Sequence, residues 1–145
     1  MSDDEAIIQL VRNHFEALYW SEGEEPAWER FRADFLPDAV LCSAARPAQL
    51  RSVHGFIERM ETVARKNLLS FEEHTRGMKI LRFGSVAVVL ASSELLENGT
   101  ETSHDISGYL LVKSAGRWLI MAHAWDQADE GNSILEELYR ERAGA

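Results

Sequence analysis

The stretch "ENGTETSHDISGYLLVKSAGRWLIMAHAW", residues 97–125, decides the fold, because two strand-like segments follow two turn signals in close succession. Asn98-Gly99 is the strongest hairpin signal in the chain, and "SAGR" marks a second turn. Upstream, "FGS" separates two further strand-like segments. The sequence therefore predicts four antiparallel strands, at about 70–82, 85–97, 101–113 and 117–127.

In the residues that precede these four strands, apolar residues recur every three or four positions instead of every two, which is typical of helices. A first helix begins behind a capping box formed by Ser2 and Glu5. The sequence further predicts a helix that ends before Pro37, a short strand in "DAVLCSA", a third helix at about 56–64 and a short C-terminal helix at about 132–142. Helices first and hairpins last indicate an α+β class, in one domain spanning residues 1–145 with its core at about 5–127.

Composition and charge narrow the classes of partner. The chain is 46% hydrophobic and carries a formal charge of -9, with 24 acidic and 15 basic residues. Phosphate backbones would be repelled by this charge, so no nucleic-acid partner is expected. The acidic start "MSDDEAII" lacks the basic region of a signal peptide, and no apolar run approaches the ~20 residues of a membrane span. We expect a cytoplasmic protein without a membrane partner.

Pairing the predicted strands places three polar side chains in one row, since hairpin turns fix register and register fixes facing. A two-residue turn at 98–99 sets Ser93 opposite His104, and a turn at 83–84 sets His74 opposite Ser93. The remaining residues expected to line a pocket on this face, with Tyr19 from the first helix, are Arg76, Met78, Ile106, Met121, His123 and Trp125. An apolar floor with a few polar groups is typical of a site for a small, largely apolar organic ligand.

The opposite face of the predicted sheet is also largely apolar. Its expected members are Leu81, Val86, Val88, Tyr109, Leu111, Ile120 and Ala122. Because helices cover only one face, and monomers rarely expose a contiguous apolar surface of this size, we expect a homodimer through the outer sheet face.

The order of helices, the short strand and the long meander ending in "GRWLIMAHAW" resembles the nuclear transport factor two-like superfamily, also called SnoaL-like. The resemblance implies a strongly curved sheet that wraps three helices into a cone with an internal pocket. Ketosteroid isomerases of this superfamily use a carboxylate base and an aspartate donor. Those positions fall at Ser43 and Gly108, so the resemblance does not extend to that isomerase chemistry.

Scytalone dehydratase, another member, uses two pocket histidines, in segments similar to "FEEHTRG" and "TSHDISG". The resemblance implies catalytic roles for His74 and His104 and a matching tyrosine at Tyr19, whereas Trp20 and Ser43 depart from the pattern. Imidazole titrates near neutral pH, so two histidines suit acid and base roles in a cofactor-independent lyase or isomerase. Ser93 would help to orient the substrate.

Several alternatives remain open at this stage. Arg76 either binds an anionic group of the ligand or pairs with a carboxylate. His123 raises the possibility of a metal, but neither HxH nor HExxH occurs, and we expect no metal site. No glycine-rich phosphate loop occurs, so no nucleotide cofactor is expected. The competing hypothesis is a non-catalytic ligand-binding or dimerisation domain.

Overall fold

Three helices precede and interrupt the sheet in the computed structural model, which describes residues 1–44 and 47–128. Helix α1 spans Asp3–Ala17, and the predicted capping box of Ser2 and Glu5 forms at its start. Helix α2 is short, Trp28–Arg32. Helix α3 spans Val53–Arg59, continues as a π-helical segment, Met60–Ala64, and ends with one α-helical turn, Arg65–Asn67.

Six strands form one open mixed sheet in the order β2-β1-β6-β5-β4-β3. The strands are β1 Phe35–Ser43, β2 Gln49–Ser52, β3 Phe71–Phe83, β4 Val86–Glu97, β5 Glu101–Ser114 and β6 Arg117–Gln127. All neighbours are antiparallel except β1 and β6. The four-stranded meander and the α+β class are confirmed. Strand β1 begins where the second helix was expected to end, and β2 was not predicted.

The helices cover one face of the sheet, and the core lies between them. Ile7, Val11 and Phe15 recur on one side of α1 and are buried against the meander. Val89 and Leu111 are among the fully buried residues that the sheet contributes. No helix among the described residues is long and apolar enough to cross a membrane. The C-terminal helix expected at about 132–142 lies outside the described residues.

Four features make the observed register differ from the predicted one. The turn between β3 and β4 lies at residues 84–85 and not at 83–84, so that Phe83 pairs with Val86. The turn between β4 and β5 contains three residues, 98–100, so that Glu97 pairs with Glu101. A bulge between Thr75 and Gly77 interrupts the pairing of β3 with β4, and a shift at Leu110 interrupts that of β5 with β6. Each one-residue slip exchanges the two faces of a strand.

The predicted row of His74, Ser93 and His104 is therefore wrong. Both histidines lie opposite Glu94, whereas Ser93 lies opposite Thr75 and Asp105 on the other face. The two histidines do share a row, but it is on the side of the sheet away from the helices.

The outer face also differs in membership from the expected one. Leu81, Val86 and Val88 are exposed there, as expected. Tyr109, Leu111 and Ile120 were expected on the outer face but are buried on the helix side, because of the same slips in register. These exposed side chains form an apolar surface on the outer face of the sheet. The homodimer through this face stays a prediction.

Replacing Val88, which is half exposed on the outer face, tests this dimer. We expect Val88→Asp to convert a dimer into a monomer, because association would bury an unpaired carboxylate. Light scattering coupled to size-exclusion chromatography measures the mass. Leu69→Asp, at an exposed residue of the segment before β3, is the matched control. A wild-type monomer, or a Val88→Asp dimer, would contradict the prediction.

Candidate functional site

A cavity of about 170 Å³ lies between the helices and the inner face of the sheet. Its walls are mostly apolar, with polar groups from α1, β3, β5 and β6. The lining residues are His14, Phe15, Leu18, Phe31, Leu41, Phe56, Met60, Phe71, Glu73, Leu95, Asp105, Ser107, Tyr109, His123 and Trp125. Concave, mostly apolar spaces with a few placed polar groups are typical of small-molecule sites.

Aromatic rings hold the polar side chains of this cavity in position. The ring of His14 stacks on Phe31 with 4.7 Å between centroids and meets Phe35 edge-on. The ring of His123 stacks on Tyr109 with 4.2 Å between centroids. Because each imidazole is packed against aromatic rings, its rotation is restricted before any ligand binds.

The first polar unit is a hydrogen-bonded pair of His14 and Asp34. His14 occupies the apolar stripe of α1 and is only 2% exposed, and Asp34 directly precedes β1. The Nδ1 atom of His14 lies 2.8 Å from Asp34 Oδ2, while the buried Nε2 atom of His14 has no hydrogen-bond partner among the described residues. A neutral imidazole whose Nδ1–H donates to a carboxylate presents a lone pair at Nε2. This pair has the arrangement of a general base.

The second polar unit is Glu73 with Ser93. Both side chains are buried, and Ser93 Oγ donates to Glu73 Oε2 at 2.7 Å. Burial, and to a lesser extent the nearby Asp105, raises the pKa of Glu73 to about 8. Desolvation penalises the ionised form of a carboxyl group. Glu73 is therefore largely protonated at neutral pH and is able to donate a proton inside the cavity.

Asp105 and Tyr109 add two further groups to the same wall. Burial first, and then the charges of Glu97 and Asp126, raise the pKa of Asp105 to about 6. Burial and the neighbouring Glu73 raise the pKa of Tyr109, whose hydroxyl lies near Ser107 but forms no hydrogen bond of good geometry among the described residues. A buried hydroxyl without a partner is costly, and a bound ligand would relieve that cost.

His123 lies beside them as a neutral group. Its Nε2 lies 3.0 Å from Ser107 Oγ, and its Nδ1 is buried without a partner among the described residues. Burial, and then the proximity of His14, lower the pKa of His123 well below its usual value. His123 thus serves as a hydrogen-bonding group of the cavity rather than as a charged one.

The structure brings together only part of the predicted site. His123 and Trp125 line the cavity, and Ser93 reaches it through Glu73. Met78 packs against the core without lining the cavity, and Ile106 lies opposite Ser92 on the other face.

The remaining predicted residues lie away from the cavity. Tyr19 and Met121 are 42% and 44% exposed. His74 is exposed and contacts Glu72 at 3.2 Å, and Arg76 pairs with Glu94 at 2.7 Å, which is the paired alternative left open for it. His104 is in the Glu94 row and does not line the cavity.

Five polar side chains that line the cavity were not among the predicted site residues: His14, Glu73, Asp105, Ser107 and Tyr109. Asp34, which pairs with His14, was not predicted either. The available signal was His14 itself, a titratable residue in the apolar stripe of the first helix. Glu73 and Asp105 each lie next to a histidine that was predicted instead, so the one-residue slip in register explains both differences. Tyr109 was expected to face outwards.

The described residues contain no group of three or more His, Cys, Asp or Glu side chains arranged to hold a metal ion. The polar groups of the cavity instead form separate hydrogen-bonded pairs. His14 contacts Asp34, Glu73 contacts Ser93, and His123 contacts Ser107.

Comparison with known proteins identifies the fold. No protein-family model matches the chain, and no curated protein matches it. Among solved structures, hexachlorocyclohexane dehydrochlorinase LinA-type3 from Novosphingobium barchaimii LL02 is similar with a TM-score of 0.70 and 11% identity, over 87% of this chain and 86% of that one.

Two further structures give the same result. A scytalone dehydratase-like protein from Novosphingobium aromaticivorans DSM 12444 has a TM-score of 0.67 and 13% identity, over 88% of this chain and 85% of that one. A nuclear transport factor two-like protein of unknown function from Shewanella baltica OS155 has a TM-score of 0.62 and 13% identity, over 88% and 95%. The chain therefore has the α+β cone fold of the nuclear transport factor two-like, or SnoaL-like, proteins.

Proposed function

We propose that the protein is a cofactor-independent lyase that eliminates a small group from a small, largely apolar molecule. The observation that carries this proposal is the placement of a His14–Asp34 pair and a protonated Glu73 in one cavity. Two similar structures are named for eliminations, a dehydrochlorination and a dehydration. That naming favours a lyase over an isomerase, which would use the same base but return the proton to carbon.

His14 acts as the base in the proposed reaction. Asp34 accepts the hydrogen bond from Nδ1–H, which fixes the imidazole and stabilises the charge that develops on it. The unpartnered Nε2 removes a proton from a carbon of the substrate. The electron pair of the broken C–H bond forms the new double bond.

Glu73 acts as the acid. Its carboxyl proton passes to the oxygen of the substrate's leaving hydroxyl group, the C–O bond breaks with its electron pair on that oxygen, and water departs while the Glu73 carboxylate remains. Ser93 holds one carboxyl oxygen and stabilises the ionised product, and the other oxygen is left to meet the substrate. Proton transfer through solvent from His14 back to Glu73 completes the cycle. The apolar walls strengthen each of these electrostatic interactions by excluding water.

A neutral probe tests the base without knowledge of the natural substrate. Deprotonation of carbon 3 of 5-nitrobenzisoxazole forms the nitrile, breaks the ring N–O bond and releases a coloured phenolate. We expect His14→Gln to lower kcat/KM for this elimination by about 100-fold or more, which is the usual contribution of a positioned base. Asp34→Asn should cost at least about 10-fold, because an amide no longer favours the reactive tautomer.

The matched control is His74→Gln, at a histidine that the structure places on the exposed outer side. This variant should retain the wild-type rate. Equal losses in His74→Gln and His14→Gln would contradict the assignment of the base. If the probe binds in the cavity but the wild-type protein does not turn it over faster than free imidazole, the non-catalytic binding alternative is the better account.

The protonation state of Glu73 is tested by the pH dependence of the free energy of unfolding. The carboxyl is protonated in the folded state up to about pH 8 but ionises near pH 4.5 when unfolded. The proton on Glu73 therefore favours the folded protein at low pH, and the free energy of unfolding falls as the pH rises from about 4.5 to about 8. The slope from this group approaches about 1.4 kcal/mol per pH unit.

We expect Glu73→Gln to remove most of this slope when urea unfolding is followed at pH 5, 6.5 and 8. Asp105→Asn is the comparison. It should remove only the contribution of Asp105 to the pH dependence, which lies below about pH 6. Parallel pH dependences for the wild-type protein and Glu73→Gln would show that Glu73 is ionised in the cavity.

A further inference from the structure

A second space adjoins the cavity on the side of α3. It is a groove of about 410 Å³, and it shares the side chains of Phe56, Met60 and Trp125 with the cavity as common walls. The groove is otherwise bounded by strand β2 and the π-helical segment, and we call it the arginine groove because Arg51 and Arg59 line it. A ligand longer than the cavity would extend past Met60 and Trp125 into this groove.

The two spaces differ in the ionisable groups that line them. Among the residues that the structure describes, the cavity is lined by two carboxyl groups, Glu73 and Asp105, and by no lysine or arginine. The described lining of the arginine groove contains two guanidinium groups and no aspartate or glutamate. This segregation is notable in a chain with a formal charge of -9. An elongated ligand with an anionic group at one end would bind in only one orientation.

The two arginines of the groove have no carboxylate partner among the described residues. Arg32, Arg65 and Arg82 all form ion pairs with nearby carboxylates. Within residues 1–44 and 47–128, no carboxylate lies within ion-pairing distance of Arg51 or Arg59. Arg51 donates a hydrogen bond to the neutral Gln49 side chain at 3.3 Å. In an acidic protein, two arginines without carboxylate partners at one groove provide a local site for an anion.

The backbone beside the groove supports a ligand-binding role. Helix α3 widens into a π-helical segment, Met60–Ala64, and three of its residues, Met60, Val63 and Ala64, line the groove. Short π-helical segments are rare and are frequent at functional sites. The segment places Met60, a flexible side chain, between the two spaces, where it can adjust to a ligand that passes from one to the other.

We infer that the substrate is an amphiphile with a neutral part of about one ring in the cavity and a carboxylate or phosphate group in the arginine groove. The size follows from the cavity volume of about 170 Å³, since an apolar cavity of about 150 Å³ accommodates benzene. Arg51 and Arg59 are then specificity-determining residues that contact the anion. The inference rests on the proposed function only in taking the cavity as the substrate site.

Equilibrium binding tests the inference without turnover. The probes are 4-phenylbutyrate, its neutral amide 4-phenylbutyramide, and 3-phenylpropyl phosphate, measured by isothermal titration calorimetry. We expect the wild-type protein to bind the anions at least about 10-fold more tightly than the amide, with a preference that weakens at high salt. The tighter of the two anions identifies the source of the negative charge.

Arg51→Gln combined with Arg59→Gln should lower the affinity for both anions about 10-fold and leave the affinity for the amide unchanged. Arg30→Gln is the matched control, because Arg30 lies on α2 and donates to the carbonyl oxygen of Asn13. Circular dichroism confirms that the variants are folded. Equal affinities for butyrate and butyramide, equal losses for all three probes, or no binding of any probe would overturn the inference.

The binding experiment and the elimination assay can succeed or fail independently of each other. If the anion preference disappears with Arg51 and Arg59 while His14→Gln leaves elimination unaffected, the proposed function fails and the inference stands. If elimination depends on His14 but the amide binds as tightly as the butyrate, the proposed function stands and the inference fails.

Discussion

The register of the meander is the constraint on which the site depends. The bulge between Thr75 and Gly77, together with the three-residue turn at 98–100, makes Glu73, Ser93 and Asp105 face the helices. A side-chain period of two means that a slip of one residue would replace these groups by their neighbours. The cavity then would contain histidines where it now contains carboxyl groups. A small backbone irregularity thus determines the chemistry that the interior can perform.

Desolvation shifts the pKa values of ionisable side chains in the cavity. The same apolar walls that bury Glu73 raise its pKa to about 8, and they lower the pKa of His123. Asp34 orients the His14 imidazole by accepting its hydrogen bond at 2.8 Å. The cavity therefore combines a neutral acid with an imidazole that a carboxylate orients. Pairs of titratable groups whose environments separate their pKa values are what acid and base catalysis at neutral pH requires.

Much of the fold could be predicted from the sequence, because it depends on patterns that tolerate small errors. The alternation in residues 97–125 and the apolar stripe with Ile7 and Val11 define strands and a helix whatever the register. The site could not be predicted to the same extent. Nothing in "SFEEHTRGMK" reveals the bulge between Thr75 and Gly77, which makes Glu73 rather than His74 face the helices. His123 and Trp125 were placed on the correct face because two errors cancelled. Strand β5 was expected to face the helices with Ile106 and Gly108 instead of Ser107 and Tyr109, and the shift at Leu110 between β5 and β6 was not expected.

The central claim is that one cavity presents the His14 imidazole and the Glu73 carboxyl to the same small molecule. A crystal structure of the His14→Gln variant with 5-nitrobenzisoxazole bound would test it most directly. The account predicts that the ring lies between α1 and the inner face of the sheet, in contact with both residue 14 and Glu73. A ring bound elsewhere, or a cavity lined by His74 and His104 instead of Glu73 and Asp105, would contradict it.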